Sequence, residues 1–224
     1  MPKIGEMIRG TVCLPRPLVQ RTACPRCVLV LAWLGILLLC FSVAWGADTP
    51  TQAVKETIDQ VLSVLADEEL KDPTRTTERR EKLEAIIKQR FDYEEMAKRT
   101  LGKQWKKLNT EEQKEFVGLF QQFLTRSYAG NVDGYSGEQV EYLKERLKGD
   151  FAEVQTKVVS PKVQIPLDYR LLKKNDKWGV YDVIIDGVSL TKNYRGQFSR
   201  IIKSSSFDAL LDKLRSKNDL AASS

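Results

Sequence analysis

The sequence predicts an α+β domain in which helices pack on one face of a curved antiparallel sheet. Apolar residues recur at helical spacing from about residue 50 to residue 129. After the turn-rich segment AGNVDGYSG at 129–137, short runs rich in Val, Ile and Tyr indicate strands. Helical spacing then returns from residue 189. Helices that precede and follow a block of consecutive strands are typical of the α+β class.

The first 46 residues predict a signal peptide. A region with five Lys and Arg residues and one Glu precedes the uncharged run CVLVLAWLGILLLCFSVAWGA at 27–47. Small residues at Ala44 and Gly46 fit cleavage before Ala47. The uncharged run is also just long enough to span a bilayer, so an uncleaved anchor is the alternative. Met7 is an alternative start of translation.

Residues 47–217 are expected to form one domain, followed by a disordered tail at 218–224. The leader contains five of the 36 basic residues and one of the 30 acidic residues. The net charge therefore falls from +6 for the whole chain to about +2 without the leader. The basic character belongs largely to the leader and gives no argument for nucleic-acid binding.

The distribution of cysteine and histidine excludes several classes of enzyme. The chain contains no histidine, and its four cysteines all lie in the leader, at Cys13, Cys24, Cys27 and Cys40. Residues 47–224 therefore cannot form a Ser-His-Asp or Cys-His nucleophile, a histidine metal site or an imidazole acid–base pair.

Two helices are expected first, at about 50–68 and 77–90. The apolar stripe of the first helix is Val54, Ile58, Val61, Leu62 and Leu65, with Pro50 near its start. The segment KDPTRTT separates the two helices. The second helix has Leu83, Ile86 and Ile87 on one side.

A short capped helix and a long aromatic helix are expected next. Asp92 predicts the N-cap of the short helix, and Gly102 predicts its end. Thr110 and Gln113 predict a capping box for a helix at about 110–129. The stripe of this long helix is unusually aromatic and consists of Phe116, Phe120, Phe123, Leu124 and Tyr128.

The strands are expected in EVQTKVVSP, KVQIPLDYRLL and KWGVYDVIID, which turn residues separate. The segment EQVEYLKERLKGD fits either a helix or a hairpin strand, and a strand is chosen. Two final helices are predicted in SLTKNYRGQFSRIIKSS and SSFDALLDKLRSK.

Asp182 and Asp186 are the candidates for a catalytic pair of acids. They lie four residues apart on one strand face, roughly 13 Å from each other. A glycosidase pair needs about 5–9.5 Å, so the spacing argues against that chemistry. Asp186 precedes Gly187, a pair that commonly marks a turn. Structural or partner-contact roles are favoured over a single catalytic acid.

The segment KWGVYDVIIDGVSLTKNYRGQF resembles the signature of the MlaC family, also called the toluene-tolerance auxiliary family, with its HpnM branch. The pattern W-x-V-x-D-x-x-x-x-G-x-S is met by Trp178, Val180, Asp182, Gly187 and Ser189, followed by Asn193, Tyr194, Arg195 and Phe198. Upstream, the family's helical half is similar at Phe91, Met96, Leu101, Gly102, Trp105, Gln113, Phe116, Phe120, Leu124 and Tyr128. The resemblance covers nearly all of 50–215.

The resemblance implies a periplasmic carrier that shuttles phospholipid between the outer and inner membranes and supports outer-membrane lipid asymmetry. The implied partners are an outer-membrane lipoprotein complex and an inner-membrane ABC transporter that bears an MCE-domain protein. We also expect a monomer with no enzyme activity, no cofactor, no metal and no nucleic-acid partner. The acyl chains are expected in an apolar cavity between helices and sheet, with the headgroup outside.

The residues expected to contact lipid are apolar positions on faces that should turn inward. They are Met96, Leu101, Trp105, Phe120, Phe123, Leu124, Tyr128, Ile165, Val183, Tyr194, Phe198, Ile201 and Leu214. A hopanoid or another apolar lipid is the alternative cargo. A small hydrolase or isomerase that uses Asp182 is the alternative activity.

Overall fold

A five-stranded antiparallel sheet and six α-helices form the part of the chain that the computed structural model describes, residues 49–133, 137–161 and 164–222. The strands lie side by side in chain order: β1 (Gln139–Lys148), β2 (Phe151–Val159), β3 (Gln164–Lys174), β4 (Lys177–Ile185) and β5 (Val188–Ser189). This architecture confirms the predicted α+β class, and the ambiguous segment before Gly149 is a strand. The predicted signal peptide at 1–46 lies outside the described residues.

Four helices precede the sheet in the chain and two follow it. They are α1 (Pro50–Ala66), α2 (Thr76–Arg90), α3 (Tyr93–Leu101), α4 (Thr110–Asp133), α5 (Leu190–Ser204) and α6 (Phe207–Ala222). Helix α1 packs on α2 and on β2, while α3 packs on α5 and α4 packs on α6. Across the described ranges, no helix combines the length and the apolar character that a membrane span requires.

The N-terminus of α4 differs from its prediction by one residue. The predicted capping box of Thr110 and Gln113 is wrong, because Asn109 is the cap: its Oδ1 accepts from the backbone N–H groups of Glu111 and Glu112, each at 2.9 Å. Glu112 closes the box, since its Oε2 accepts from the Asn109 N–H at 2.8 Å. Asn is a stronger N-cap than Thr, which explains the shift. The predicted Asp92 cap of α3 is confirmed, with a bond of 2.9 Å from the Glu95 N–H.

The C-terminal segment is more ordered than the sequence indicates. A disordered tail is predicted at 218–224, but α6 extends to Ala222. Asn218 is only 3 % exposed, and its amide donates to the backbone carbonyl of Leu119 on α4 at 3.2 Å. This contact between α6 and α4 continues the helix pairing beyond Lys217, where the predicted helix ends. Residues 223–224 lie outside the described ranges.

Residues in the left-handed backbone region form two turns of the sheet, among them the predicted Asp186–Gly187 turn. Asn175 and Asp176 have φ values of 49° and 59°, and they join β3 to β4. Asp186 and Gly187 have φ values of 47° and 77°, and they join β4 to β5. Asn, Asp and Gly tolerate this left-handed backbone better than other residues. Asp186 therefore has a turn role.

The two faces of the sheet differ in character. One face buries apolar side chains against α1: Ala152, Val154, Leu171, Val180 and Val183. The opposite face carries a row of alternating charges across four strands, which we call the charge ladder: Arg146, Glu153, Arg170 and Asp182. These residues are directly paired in the strand register, and their successive N···O distances are 3.8, 3.2 and 3.4 Å.

Candidate functional site

An apolar cavity of about 230 Å³, cavity 1, lies between the helices and the strands β3 and β4. Helix α2 contributes Leu83 and Ile87, which are four residues apart and therefore share a helix face. Strand β4 contributes Val183 and Ile185, which share a strand face because they are two residues apart. The lining also includes Tyr93, Met96, Leu124, Thr125, Tyr128 and Leu190.

A second apolar cavity of about 480 Å³, cavity 2, lies between α1 and the sheet. Helix α1 supplies one wall with Val54, Ile58, Val61, Leu62 and Leu65, whose spacing places them along one side of the helix. The sheet supplies the other wall with Val140, Val158, Ile165, Leu167 and Val180. Every one of these side chains is aliphatic, so the cavity offers contact to hydrocarbon.

The two cavities adjoin. Ile87, Phe91 and Tyr169 line both of them, so these three side chains form the partition between cavity 1 and cavity 2. Ligand pockets of proteins typically measure about 300–1,000 Å³, and the two cavities together fall within this range. The arrangement provides a forked apolar site with one branch on each side of the partition.

Few charges border the cavities. Arg80 and Glu84 line cavity 1, where Arg80 is exposed and Glu84 is half-buried. Arg90 and the half-buried Glu138 line cavity 2, and the Arg90 guanidinium donates to the Thr57 hydroxyl and to the Trp178 carbonyl, each at 3.0 Å. The charged groups are thus at the margins or engaged in hydrogen bonds, and the interior surface is apolar.

Two tyrosines of the cavity walls and one in the core behind them are neutral at physiological pH. Burial raises the pKa of Tyr93 to about 12, although its hydrogen bond with Thr125 acts in the opposite direction. Burial also raises the pKa of Tyr169 well above its usual range. The pKa of Tyr194 is raised by burial and by its hydrogen bond with Tyr128. Neutral phenols keep the site compatible with hydrocarbon.

Five of the thirteen residues expected to contact lipid line a cavity. Met96, Leu124, Tyr128 and Val183 come together around cavity 1. Ile165 lies in the wall of cavity 2 and is 39 % exposed. These residues come from two helices and two strands.

The other eight expected residues belong to the packed core between α3, α4, α5 and α6: Leu101, Trp105, Phe120, Phe123, Tyr194, Phe198, Ile201 and Leu214. Phe120 is fully buried. The centroid of its ring lies 5.8 Å from that of Phe198 and 6.0 Å from that of Tyr194, and both pairs meet edge to face. Such packing stabilises the core through favourable aromatic geometry. The aromatic stripe of α4 thus meets other aromatic rings.

Sequence reasoning assigned no site role to α1 or α2, although both supply cavity wall. Their helical spacing predicts both helices, but apolar spacing alone does not distinguish a side chain that packs on a neighbour from one that faces a cavity. The sequence also does not predict that Phe91, Tyr169 and Ile185 line the site. The one feature of the sequence that points to this role is the aliphatic stripe of α1, which contains no aromatic ring that could pack against another ring.

Asp182 is a buried carboxylate between β4 and the start of α5. It is 2 % exposed. Its Oδ1 accepts from the Thr191 backbone N–H at 3.0 Å, and its Oδ2 accepts from the Ser189 hydroxyl at 2.7 Å and from Arg170 at 3.4 Å. Ser189 is in turn the N-cap of α5. Both oxygens are therefore engaged, and the carboxylate joins β4 to the start of α5.

The chain is similar to two known proteins, one in sequence and one in fold. The chain is 23 % identical over 123 residues to the intermembrane phospholipid transport system binding protein MlaC of Haemophilus influenzae. That match covers 52 % of this chain and 58 % of the relative, so the chain spans little more than half the length of this curated protein. The fold matches a phospholipid-binding protein of Ralstonia solanacearum, solved in complex with a phospholipid, with a TM-score of 0.67 and 27 % identity.

The structural match covers 76 % of this chain and 97 % of the Ralstonia protein. Both relatives are described as binding proteins, and neither is described as an enzyme. The sequence pattern of the MlaC protein family matches residues 55–216, which is well over half of the chain. By this match, with the resemblance at Trp178–Ser189 and the shared fold, the chain belongs to the MlaC family.

Proposed function

We propose that the protein is a periplasmic lipid carrier that shuttles phospholipid between the outer and inner membranes for an MCE-type ABC transport system. The single observation that carries the proposal is the pair of adjoining apolar cavities between the helices and the sheet. Membership of the MlaC family and the likeness to a solved protein in complex with a phospholipid support it. The predicted signal peptide supports the periplasmic location.

The forked shape suits a lipid with two acyl chains, one on each side of the partition formed by Ile87, Phe91 and Tyr169. Each CH₂ transferred from water to an apolar site gains roughly 0.8 kcal/mol. Two tails contain about 30 methylenes, so release into water would cost on the order of 20 kcal/mol. The cargo should therefore leave only during contact with a membrane or a partner.

The proposed lipid contacts begin with the five expected residues that line the cavities, Met96, Leu124, Tyr128, Ile165 and Val183. The walls contributed by α1 and α2 complete the site. The eight expected residues in the core act behind these walls, by holding α3, α4 and α5 in place. The proposed partners are an outer-membrane lipoprotein complex and an inner-membrane transporter that bears an MCE-domain protein, and the carrier is proposed to act as a monomer.

The test is native mass spectrometry of residues 47–224, exported to a bacterial periplasm and purified without detergent. We expect a mass increment of about one lipid per chain, and organic extraction should return phospholipid. Extracted lipid without phosphorus would identify a hopanoid or another apolar cargo. A protein that carries no extractable lipid after gentle purification would contradict the proposal.

A further inference from the structure

A basic groove lies on the sheet face opposite the two cavities. Arg170 lines the groove, whereas its neighbours Tyr169 and Leu171 point to the helix-covered face, because successive strand residues alternate. The groove consists of two adjoining hollows of about 300 and 320 Å³ that meet at Arg170 and Tyr181. One hollow extends towards the start of α5, and the other extends towards the β1–β2 hairpin.

Cations outnumber carboxylates in the groove. The lining cations are Arg99, Arg146, Lys148, Arg170, Lys192 and Arg195, and the lining carboxylates are Glu153 and Asp182. Both carboxylates are already engaged with arginines of the charge ladder. In the part of the chain that the structure describes, Lys148, Lys192 and Arg195 have no ion-pair partner, and all three are exposed. The groove therefore has unpaired positive charge at both ends.

Two aromatic rings, Phe151 and Tyr181, lie between these cationic ends, with the Arg99 guanidinium stacked on them. The Arg99 guanidinium sits 3.9 Å above the Tyr181 ring and 5.7 Å from the Phe151 ring. Phe151 and Tyr181 meet edge to face with centroids 6.2 Å apart. Phe151 is 44 % exposed, which leaves apolar area in contact with water.

The position of Arg195 is held by backbone geometry. Gly102 has φ 59°, and a Cβ at this residue would lie 2.9 Å from Nη2 of Arg195. The guanidinium thus rests directly on the glycine, beside the first turn of α5. A free cation that packs on backbone in this way is presented at a defined place on the surface.

The shape of the groove favours one class of anionic ligand over two others. A flat bilayer would meet the rims of two hollows and leave their floors empty, and a single phosphate would occupy only one end. An extended polypeptide places alternate side chains roughly 6.6 Å apart on one side, so it can follow both hollows. We propose that the basic groove docks an extended acidic segment of a partner protein, with carboxylates at both cationic ends and an apolar side chain against Phe151.

This proposal does not depend on lipid, because none of the residues that carry it lines either cavity. The probe is a short fluorescein-labelled peptide in which Glu, Leu and Glu occupy alternate positions with Ser between them, so that all three side chains lie on one side of the extended chain. Its counterpart has Gln in place of Glu. Binding is measured by fluorescence anisotropy at low ionic strength, since the Debye length is only about 10 Å at 0.1 M salt. We expect the Glu peptide to bind and the Gln peptide to bind at least tenfold more weakly.

The test variant is Lys192→Glu/Arg195→Glu, and the matched control is Lys213→Glu/Lys217→Glu on the exposed side of α6. Both double variants change the net charge equally. We expect the groove variant to lose at least tenfold in affinity for the Glu peptide and the control to stay within about twofold. Lys148→Glu, at the other end of the groove, should weaken binding severalfold and provides a second test if the double variant fails to fold.

Equal losses in the groove variant and the control would overturn the proposal, because bulk charge would then explain the binding. The proposal would also fail if the groove variant lost binding to phosphatidylglycerol vesicles while peptide affinity stayed unchanged, which would indicate bilayer docking. Bound lipid per chain, measured on the same samples, should be equal in all variants. A protein without lipid that still binds the peptide would separate the failure of the carrier function from that of the docking site.

Discussion

The Asp182 carboxylate accepts hydrogen bonds from three separate parts of the chain: Arg170 on β3, Ser189 at the end of β5 and Thr191 in the first turn of α5. The sequence places this acid on a strand and indicates a structural role for it. Its partners could not be predicted, because they depend on the register of β3 against β4. That register shifts between Arg170 and Leu171, and sequence spacing does not reveal the shift.

Asp182→Asn should destabilise the fold without emptying the cavities. The amide removes the charge that attracts Arg170 and leaves one donor, from Ser189 or Thr191, without its acceptor. An unsatisfied buried group costs about 1–3 kcal/mol, so the free energy of unfolding should fall by that amount. Urea unfolding measures the loss, and lipid extraction should show unchanged lipid per folded chain. Loss of turnover of a substrate in this variant would restore the enzyme alternative.

Asn109→Ala should shorten or loosen the first turn of α4. The side chain caps two backbone N–H groups at 2.9 Å, and loss of such a cap costs about 0.5–2 kcal/mol. Thr110→Ala is the matched control, because Thr110 is the first residue of the helix and its side chain does not cap it. Urea unfolding of both variants provides the measurement. If Thr110→Ala lowered the free energy of unfolding more than Asn109→Ala, Thr110 would be the N-cap, as the sequence predicts.

At the scale of elements, the apolar helices serve two different purposes. Helix α4 interlocks its rings with Tyr194 and Phe198 of α5, whereas α1 presents aliphatic side chains to cavity 2. The sequence predicts both helices, with bounds within a few residues of the observed ones. It does not predict which helix borders empty space, because a helical stripe has the same period in either case. The two roles differ in the distance from the helix to the layer that it faces, and this distance is a property of the folded structure.

Val61→Trp on α1 should reduce bound lipid without harming the fold. The larger side chain enters cavity 2 and occupies volume that the acyl chain would fill, and cavity filling commonly stabilises proteins by about 0.5–2 kcal/mol. Native mass spectrometry should show a severalfold drop in lipid occupancy, and thermal unfolding should show no loss of stability.

Phe120→Ala provides the contrast on α4. Phe120 is fully buried in the aromatic core, so its truncation should cost about 3–5 kcal/mol of stability. Lipid per folded chain should stay near its original level. If Phe120→Ala instead lost its lipid at unchanged stability, the ring would belong to the cargo site and the division between α1 and α4 would be wrong.

At the scale of the whole molecule, the order of elements along the chain defines the fold well. Consecutive strands form an open antiparallel sheet, and the change from period 3.6 to period 2 near residue 137 locates it. The cavities are a property of the assembled layers. They arise where α1 and α2 stand off from the sheet, which no local pattern encodes.

The stability of the whole molecule should decrease in alkaline solution. Burial raises the pKa of Tyr93 to about 12, whereas a tyrosine in the unfolded chain has a pKa of about 10. The raised value stabilises the fold fully below about pH 10, and this contribution is lost as the pH rises from about 10 to about 12. One pKa unit corresponds to 1.36 kcal/mol, so Tyr93 alone should account for about 2–3 kcal/mol.

Urea unfolding at several pH values between about 8 and about 11 measures this dependence. Tyr93→Phe should flatten the decline, because phenylalanine has no proton to lose. Burial raises the pKa of Tyr169 and Tyr194 in the same direction, so some decline should persist in the variant. An identical slope in both proteins would show that Tyr93 ionises in the folded state without penalty.

The charge ladder also determines how the strands align. A shift of β3 by two residues would keep every apolar side chain on the helix-covered face, so hydrophobic burial alone would tolerate it. One such shift would bring Asp168 to the place of Arg170, directly between Glu153 and Asp182. Three carboxylates would then face one another across adjacent strands. Arg170 therefore favours the native register. In that register it neutralises Glu153 and Asp182, whereas in the shifted register the carboxylates would repel one another.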